Sequence, residues 1–276
     1  MKIYRIHSGI LLEKDGQYRI HHADWDEFVN DDQLFQKCNE LFPTLPVYED
    51  SINGHVLAPI GNQEVWASGV TYFQSKIGRE EEAKAAGGSD FYARVYVAER
   101  PELFFKATAA RVVGHGANIR IRKDSVWDVP EPELTLLVTS NGKIVGYTVG
   151  DDVSSRSIEG ENPLYLPQAK TYDASAALGP CILVSESSLP TSTQIRLEIK
   201  RDGSLVFTGQ TDLAQLKRKP QDLVDFLCRE TSFPYGVFLM TGTGIVPGSD
   251  FTLNVGDEVS IEIDGIGRLT NIVEQK

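Results

Sequence analysis

The chain lacks any apolar run approaching the roughly 18 residues that a membrane-spanning helix needs, so the expectation is a protein with no membrane contact. It is poor in cysteine as well. Cys38, Cys181 and Cys228 stand far apart, too few and too scattered for a disulfide framework or a CxxC zinc site. Residues 1–12 have neither the basic start nor the long apolar stretch of a signal peptide, and the expected setting is a reduced, cytoplasmic one. Basic residues are in deficit, 27 against 39 acidic ones, for a net charge of −12. That balance argues against a nucleic-acid partner, whose grip depends on Lys and Arg against phosphates. The acidity by itself names no ligand, since solubility alone accounts for charge of this size. There is no GxGxxG and no P-loop pattern, no internal repeat and no low-complexity tract.

What is present is strand. The length of 276 residues suits one substantial domain with a small companion. Residues 1–63 hold short apolar runs and one brief helical stretch at 32–41, and read as a small α+β N-terminal domain. From 64 to 276 strand signals dominate, at 65–70, 94–97, 103–107, 118–121, 134–139, 144–149, 182–184, 194–200, 204–208, 258–263 and 269–273. Asn141-Gly142, Asp202-Gly203 and Asp264-Gly265 supply turn chemistry between several of them. The one long helix expected is 220–229. The pattern predicts a mainly β (α+β) fold whose main domain is a sandwich or rolled sheet. Residues 79–90, a charged helical stretch ending in Gly87-Gly88, are either a lid over a site or a solvated surface helix.

The segment from Val129 to Asp152 carries the most information. Asn-Gly between two alternating runs is a strong hairpin signal and sets a register. With Asn141 and Gly142 as a two-residue loop, paired positions sum to 283, so Glu133 faces Gly150 and Glu131 faces Asp152. One face then carries Leu134, Leu136, Val138, Val145, Tyr147 and Val149, a core face. The other carries Glu131, Glu133, Thr135, Leu137, Thr139, Ile144, Gly146, Thr148, Gly150 and Asp152, mostly polar or small, as expected for a half-buried pair. Glu131 and Glu133 would lie roughly 6.5–7 Å apart along the strand, with opposed β-carbons about 4.5–5.5 Å apart. Like charges at that spacing destabilise a sheet unless a cation offsets them. Three carboxylates with no Cys or His suit Mg²⁺, Mn²⁺ or Ca²⁺ rather than zinc. A solvated acidic hairpin end is the alternative. Pro132 fits a strand end or edge.

The same residues resemble the fumarylacetoacetate hydrolase family. The likeness rests on Glu131-x-Glu133, the run Gly146 to Arg156 containing Asp152-Val153-Ser154, Lys170-x-x-Asp173, Leu178-Gly179-Pro180, Gly242-Thr243 and Gly256-Asp257. It implies a mixed β-sandwich roll behind a small N-terminal domain, a metal held by Glu131, Glu133 and Asp152, Lys170 beside that metal, and a homo-oligomer, dimer or tetramer. Hydrolytic members carry Asn-Tyr-x-x-His-x-x-Glu, where His and Glu activate water. This chain has Ser75 at the position of that His and Gly78 at the position of the Glu. Glu159 to Lys170 and Met240 to Pro247 resemble the branch that dehydrates 2-keto-3-deoxypentonates. Asp151 and Ser157 depart from the family's Asn and Asp.

The resemblance implies a Mg²⁺-dependent lyase acting on a small 2-keto acid such as 2-dehydro-3-deoxy-D-arabinonate, giving 2,5-dioxopentanoate with no redox cofactor. A cation there polarises the C2 carbonyl and acidifies C3, so the reaction also needs a base at C3 and a proton for the C4 hydroxyl. Lys170 is the leading auxiliary group. Glu102 is the candidate general base, and Ser75 and Thr243 are candidate hydroxyl contacts to the substrate. His115, in Gly114-His115-Gly116, reads as a loop residue. Two other classes stay open: a C–C hydrolase of an acylpyruvate, and a non-catalytic protein holding Ca²⁺ structurally.

Overall fold

The strand-forming runs assemble into two main sheets that share one core, with a two-stranded pair of Asp128–Val129 and Ser154–Ser155 beside them, as described for residues 1–52, 54–82 and 89–276 of the computed structural model. The large sheet has ten strands. At its centre Pro132–Val138 lies between Ile144–Asp152 and Val237–Thr243, antiparallel to both, while Val237–Thr243 runs parallel to Glu64–Gly69. Glu102–Thr108 closes that side of the sheet. On the other side Ala176–Val184 pairs with Ile144–Asp152, then Lys2–Ile6, Gly9–Lys14 and Gln17–His21 continue the same sheet. The small sheet runs Ser204–Asp212, Gln194–Arg201, Glu258–Ile263, Gly267–Gln275 and Asn118–Ile121. The fold is a mainly β sandwich of mixed sheets, as the strand pattern predicts.

Alternation decides which side chains meet. Leu134, Leu136, Tyr147 and Val149 of the large sheet pack against Leu197, Ile199, Val259 and Ile261 of the small one. On the opposite face Leu137, Val145, Phe238 and Met240 pack under Trp25, Phe28, Leu34 and Cys38. Those residues come from the helices Trp25–Val29 and Leu34–Leu41. The central hairpin is therefore buried on both faces, not half-solvated as its polar second face suggests. The polar residues on that face are enclosed, and this encloses the site.

The hairpin turn also differs from the expected two-residue loop. Gly142 N–H donates to the Thr139 carbonyl (2.9 Å) and Thr139 N–H to the Lys143 carbonyl (2.9 Å). Val138 pairs with Ile144, one step off the expected register. An irregularity between Ile144 and Gly146 restores it, so Leu134 faces Val149 and Glu133 faces Gly150. Asp152 N–H then donates to the Glu131 carbonyl at 3.0 Å. The loop's extra residue is undone by the bulge, and the carboxylates fall opposite each other as the faces require.

Two further differences have one cause, tertiary context overriding local pattern. Residues 94–97 belong to a helix, Ser89–Val97, with Val95 and Tyr96 packed on Val70. Val237–Thr243 is a strand although its run Val237-Phe238-Leu239-Met240 shows no alternation, because both its faces are buried. The lid expected at 79–90 has its centre, 83–88, outside the described residues; its flanks end the helix Phe73–Glu82 and begin Ser89–Val97. No helix among the described residues is long and apolar enough to cross a membrane.

In the hairpin turn Gly142 takes a left-handed conformation (φ 77°) and Asn141 does not. Gly142→Ala is expected to cost about 1–2 kcal/mol, the price of that conformation for an L-residue, seen as a melting temperature lower by a few degrees. A melting temperature unchanged by Gly142→Ala in a thermal-unfolding scan would contradict the turn geometry.

Candidate active site

Strand parity puts Glu131 and Glu133 on one face, on either side of Pro132, the first residue of Pro132–Val138. Asp152 ends the neighbouring strand on the same face. One oxygen from each of the three carboxylates lies within 4.8 Å of the others, and all three side chains are buried. From the other flank, Thr243 pairs with Glu133 and the Gly242 N–H donates to Glu133 Oε2 at 2.5 Å. Three adjacent strands thus deliver the cluster.

Cations close around it. Lys170, the last residue of the short helix Leu166–Lys170, is fully buried. Its Nζ lies 2.8 Å from Glu131 Oε2, 3.1 Å from Asp152 Oδ2, 3.6 Å from Glu159 Oε1 and 2.6 Å from Ser154 Oγ. Lys106, also fully buried, comes from the edge strand Glu102–Thr108. It pairs with Asp152 Oδ1 at 2.5 Å and donates to the Val153 carbonyl (3.0 Å) and the Lys170 carbonyl (2.5 Å). Arg156 Nη2 is 3.2 Å from Glu131 Oε1. Asp151 Oδ1 accepts from Glu131 N–H at 3.0 Å.

Five buried carboxylates (Glu131, Glu133, Asp151, Asp152, Glu159) therefore meet three buried basic side chains (Lys106, Arg156, Lys170), a formal excess of two negative charges when every group is ionised. The ionisations reflect that excess. Burial, with Asp152 and Glu131 beside it, pushes Glu133 well above the usual carboxylate range. Burial and Asp152 push Asp151 up to about 7. Burial would raise Asp152 too, but Lys106 and Lys170 outweigh it and hold its carboxyl below the ordinary value. An oxygen-only donor set in this geometry with a two-charge deficit fits a hard divalent cation.

The other expected residues divide into two groups. Ser75, Thr243 and Lys170 line the pocket at the carboxylates, together with Val70, Phe104 and Arg156. Ser75 Oγ donates to the Tyr72 carbonyl and accepts from Tyr72 N–H (2.8 and 3.2 Å), and Thr243 Oγ1 does the same with Ile245 (3.1 and 3.2 Å). Val70 holds a left-handed conformation (φ 54°), strained for a β-branched residue and the kind of strain that clusters at functional sites. Glu102 lies outside that pocket. It lines an adjacent outer cavity of about 510 Å³ with Glu159, and its carboxylate rests against Gly69, where a β-carbon would lie 2.0 Å from Oε2. His115 is remote from both, its Nδ1 accepting from Thr270 N–H at 3.1 Å.

Sequence reading gave no role to Lys106, Arg156, Ser154 or Glu159. For Lys106 a signal existed: in Glu102-Leu103-Phe104-Phe105-Lys106 alternation puts Glu102, Phe104 and Lys106 on one face. A lysine inside an apolar strand needs a buried partner. Lys106→Met would strand the Asp152 carboxylate beside one cation instead of two, and breaking such a pair costs about 3–5 kcal/mol. Denaturant unfolding of the metal-free protein should show that loss, and a change under about 1 kcal/mol, the worth of an exposed ion pair, would contradict the pairing.

The site and its scaffold have known counterparts. Residues 71–274 match the family model for the fumarylacetoacetate (FAA) hydrolase C-terminal domain. A probable 2-keto-3-deoxyxylonate dehydratase of Haloferax volcanii is 46% identical over 236 residues, 85% of this chain and 80% of that protein. A 2-dehydro-3-deoxy-D-arabinonate dehydratase of Saccharolobus solfataricus is 46% identical over 223 residues, 80% of this chain and 75% of that protein. A solved structure of 2-keto-3-deoxy-D-arabinonate dehydratase complexed with magnesium and 2,5-dioxopentanoate superposes with a TM-score of 0.82 at 36% identity, covering 100% of this chain and 99% of that one. Matched in sequence over most of its length and in fold over all of it, the chain belongs to the fumarylacetoacetate hydrolase family.

Proposed function

We propose that the chain is a Mg²⁺-dependent dehydratase of a 2-keto-3-deoxypentonate, such as 2-dehydro-3-deoxy-D-arabinonate, yielding 2,5-dioxopentanoate. The observation that carries this reading is the buried oxygen-donor triad with its two-charge deficit, in a chain 46% identical to two dehydratases of such acids. Glu131, Glu133 and Asp152 would hold Mg²⁺, with Mn²⁺ or Ca²⁺ as substitutes. Once bound, the cation supplies Lewis-acid polarisation of the substrate's 2-keto group.

The chain's own residues do the rest. Lys170 Nζ, tied to Glu131 and Asp152, fixes both carboxylates and offers an N–H to the oxygen on which enolate charge develops. Glu102 takes the C3 proton. Ser75 and Thr243 have hydroxyls already engaged by backbone groups, and each retains an acceptor lone pair for a substrate hydroxyl. Phe104, whose ring lies 5.6 Å from Lys170 Nζ, excludes water from that ammonium.

Hydrolysis of an acylpyruvate is disfavoured by the space at Gly78. A β-carbon there would stand 3.0 Å from Val246 Cγ1 and 3.3 Å from Arg156 Nη1, so a larger residue would have to press these side chains back by a few tenths of an ångström. Three free cysteines without pairing support a reduced, cytoplasmic setting. The exposed Leu205 and Val206 on the edge strand Ser204–Asp212 support association of copies as a dimer or tetramer.

Incubation with Mg²⁺ and 2-keto-3-deoxy-D-arabinonate should yield the semialdehyde; pyruvate without it would overturn the reading. Glu133→Gln is expected to lose Mg²⁺ binding and turnover together, and full metal stoichiometry by calorimetry in that variant would refute the ligand role. Lys170→Met should keep the metal while turnover falls about 10²–10⁴-fold, the range for a lost proton-handling group; near wild-type turnover would remove Lys170 from the chemistry.

A further inference from the structure

We propose that Glu159 is a second catalytic carboxylate, the group that moves a proton between C5 and C4 of the substrate after water has left. This rests on the dehydratase reading and assigns a step that reading leaves without a residue. Loss of water alone does not produce 2,5-dioxopentanoate. When the C3 proton is taken, its electron pair enters the C2 carbonyl and returns to form C3=C4, breaking the C4–O bond. The hydroxyl leaves as water with the proton that Glu102 took from C3, and the product of that half is 5-hydroxy-2-oxopent-3-enoate. Its C5 is still an alcohol.

Reaching the aldehyde requires a proton shift with no oxidant. A base removes a proton from C5, which is acidic through the conjugated C3=C4 and C2 carbonyl. The pair from C5–H forms C4=C5, and the C3=C4 pair moves to C2=C3, with charge on the C2 oxygen. Protonation at C3 restores the ketone, leaving a C4=C5 enol. A proton delivered to C4 and loss of the C5 hydroxyl proton give the aldehyde. Atoms and electrons balance, since the substrate loses one water overall. Glu102 at C3 covers the first half; the second asks for an acid–base group two carbons further along the substrate.

The fold puts a carboxylate there. Ser155 Oγ accepts from Ile158 N–H (3.3 Å) and caps the helix Arg156–Glu161. Arg156 and Glu159, three residues apart, share its inward face and are both buried. Arg156 points at Glu131, at the inner pocket, and Glu159 stands one step outward, with Oε1 3.6 Å from Lys170 Nζ. The inner pocket offers about 10 Å³, far too little for a five-carbon acid. Next to it lies an outer cavity of about 510 Å³, whose walls include Glu102 and Glu159. Glu102 borders the inner pocket through Gly69, and Glu159 borders it through Lys170. A substrate with its keto-acid end in the inner pocket would reach both carboxylates by extending into that cavity. The remaining walls are mostly apolar, with Val95, Ala98, Pro101, Pro163 and Leu166 beside one exposed cation, Arg100.

The test follows wild type, Glu159→Gln and Glu159→Asp with Mg²⁺ and 2-keto-3-deoxy-D-arabinonate in D₂O, by NMR and near-ultraviolet absorbance, with Mg²⁺ binding measured by calorimetry. Glu159→Gln should keep metal binding, C3 deuterium exchange and water loss. It should accumulate the conjugated enone and form aldehyde about 10²–10⁴-fold more slowly, with Glu159→Asp partly restoring aldehyde formation. Aldehyde formed by Glu159→Gln at near the wild-type rate would overturn the proposal. So would joint loss of C3 exchange and Mg²⁺ binding, which would make Glu159 a support for Lys170 only. Should Glu159→Gln not fold, Glu159→Asp decides: a folded variant that slows without accumulating enone overturns the assignment. Pyruvate in place of aldehyde from the wild type sinks the dehydratase reading itself, a result separate from any variant's.

Discussion

Five carboxylates buried against three cations are held in the middle of a sheet. Isolated buried charge of this kind is costly, and it survives only where each oxygen finds an N–H, an ammonium or a metal. The surroundings of Asp152 and Glu133 meet that condition through Lys106, Lys170 and the Gly242 N–H. Lys106 does so twice over, because it also grips the carbonyls of Val153 and Lys170. One buried ammonium thus joins an edge strand, the metal-facing strand end and the helix that carries Lys170. The sandwich core contributes the rigidity this requires, since strands packed on both faces cannot drift apart to relieve like-charge repulsion.

The N-terminal elements share in this arrangement without touching the chemistry. Trp25, Phe28, Leu34 and Cys38 cover the turn end of the central hairpin, while Glu131, Glu133 and Asp152 lie at its opposite end. Covering one end and leaving the other concave turns a sheet face into a pocket. The strands Lys2–Ile6 and Gly9–Lys14 extend the same sheet, which ties the cover to the scaffold by backbone hydrogen bonds as well as by packing.

Legibility in the sequence followed the range of the interactions. The carboxylate hairpin was readable because register is a local property, set by a turn and an alternation. Even a mistaken turn type did no harm there, since the Val145 bulge cancels the loop's extra residue. Val237–Thr243 was invisible for the opposite reason: a strand buried on both faces shows neither period. The helix Ser89–Val97 was misread because Val95 and Tyr96 find their partner at Val70, some 25 residues earlier in the chain. Lys106, Arg156 and Glu159 have meaning only once strand, helix and pocket are assembled, and single residues of those types in a charged chain carry little local signal. Glu102 showed the limit from the other side: its residue type fitted a base, but its place in the outer cavity, against Gly69, was not deducible from spacing.

The departures at Ser75 and Gly78 from the hydrolytic pattern bear on how one scaffold can serve different bond-breaking reactions. A hydrolase must hold a water against the substrate, which takes an acid–base pair close to the metal-facing pocket. Here that position holds Gly78, beside Val246 and Arg156, and Ser75, whose hydroxyl is bonded to the Tyr72 backbone. Glu102 and Glu159, the two carboxylates proposed for that work, stand further out on a mostly apolar cavity. Carboxylates placed along the substrate's length would suit moving protons between carbons of one molecule and expelling water from it. The same enolate-stabilising face, with its carboxylates and Lys170, would serve either outcome, so the reaction class depends on where the proton-carrying side chains sit relative to it.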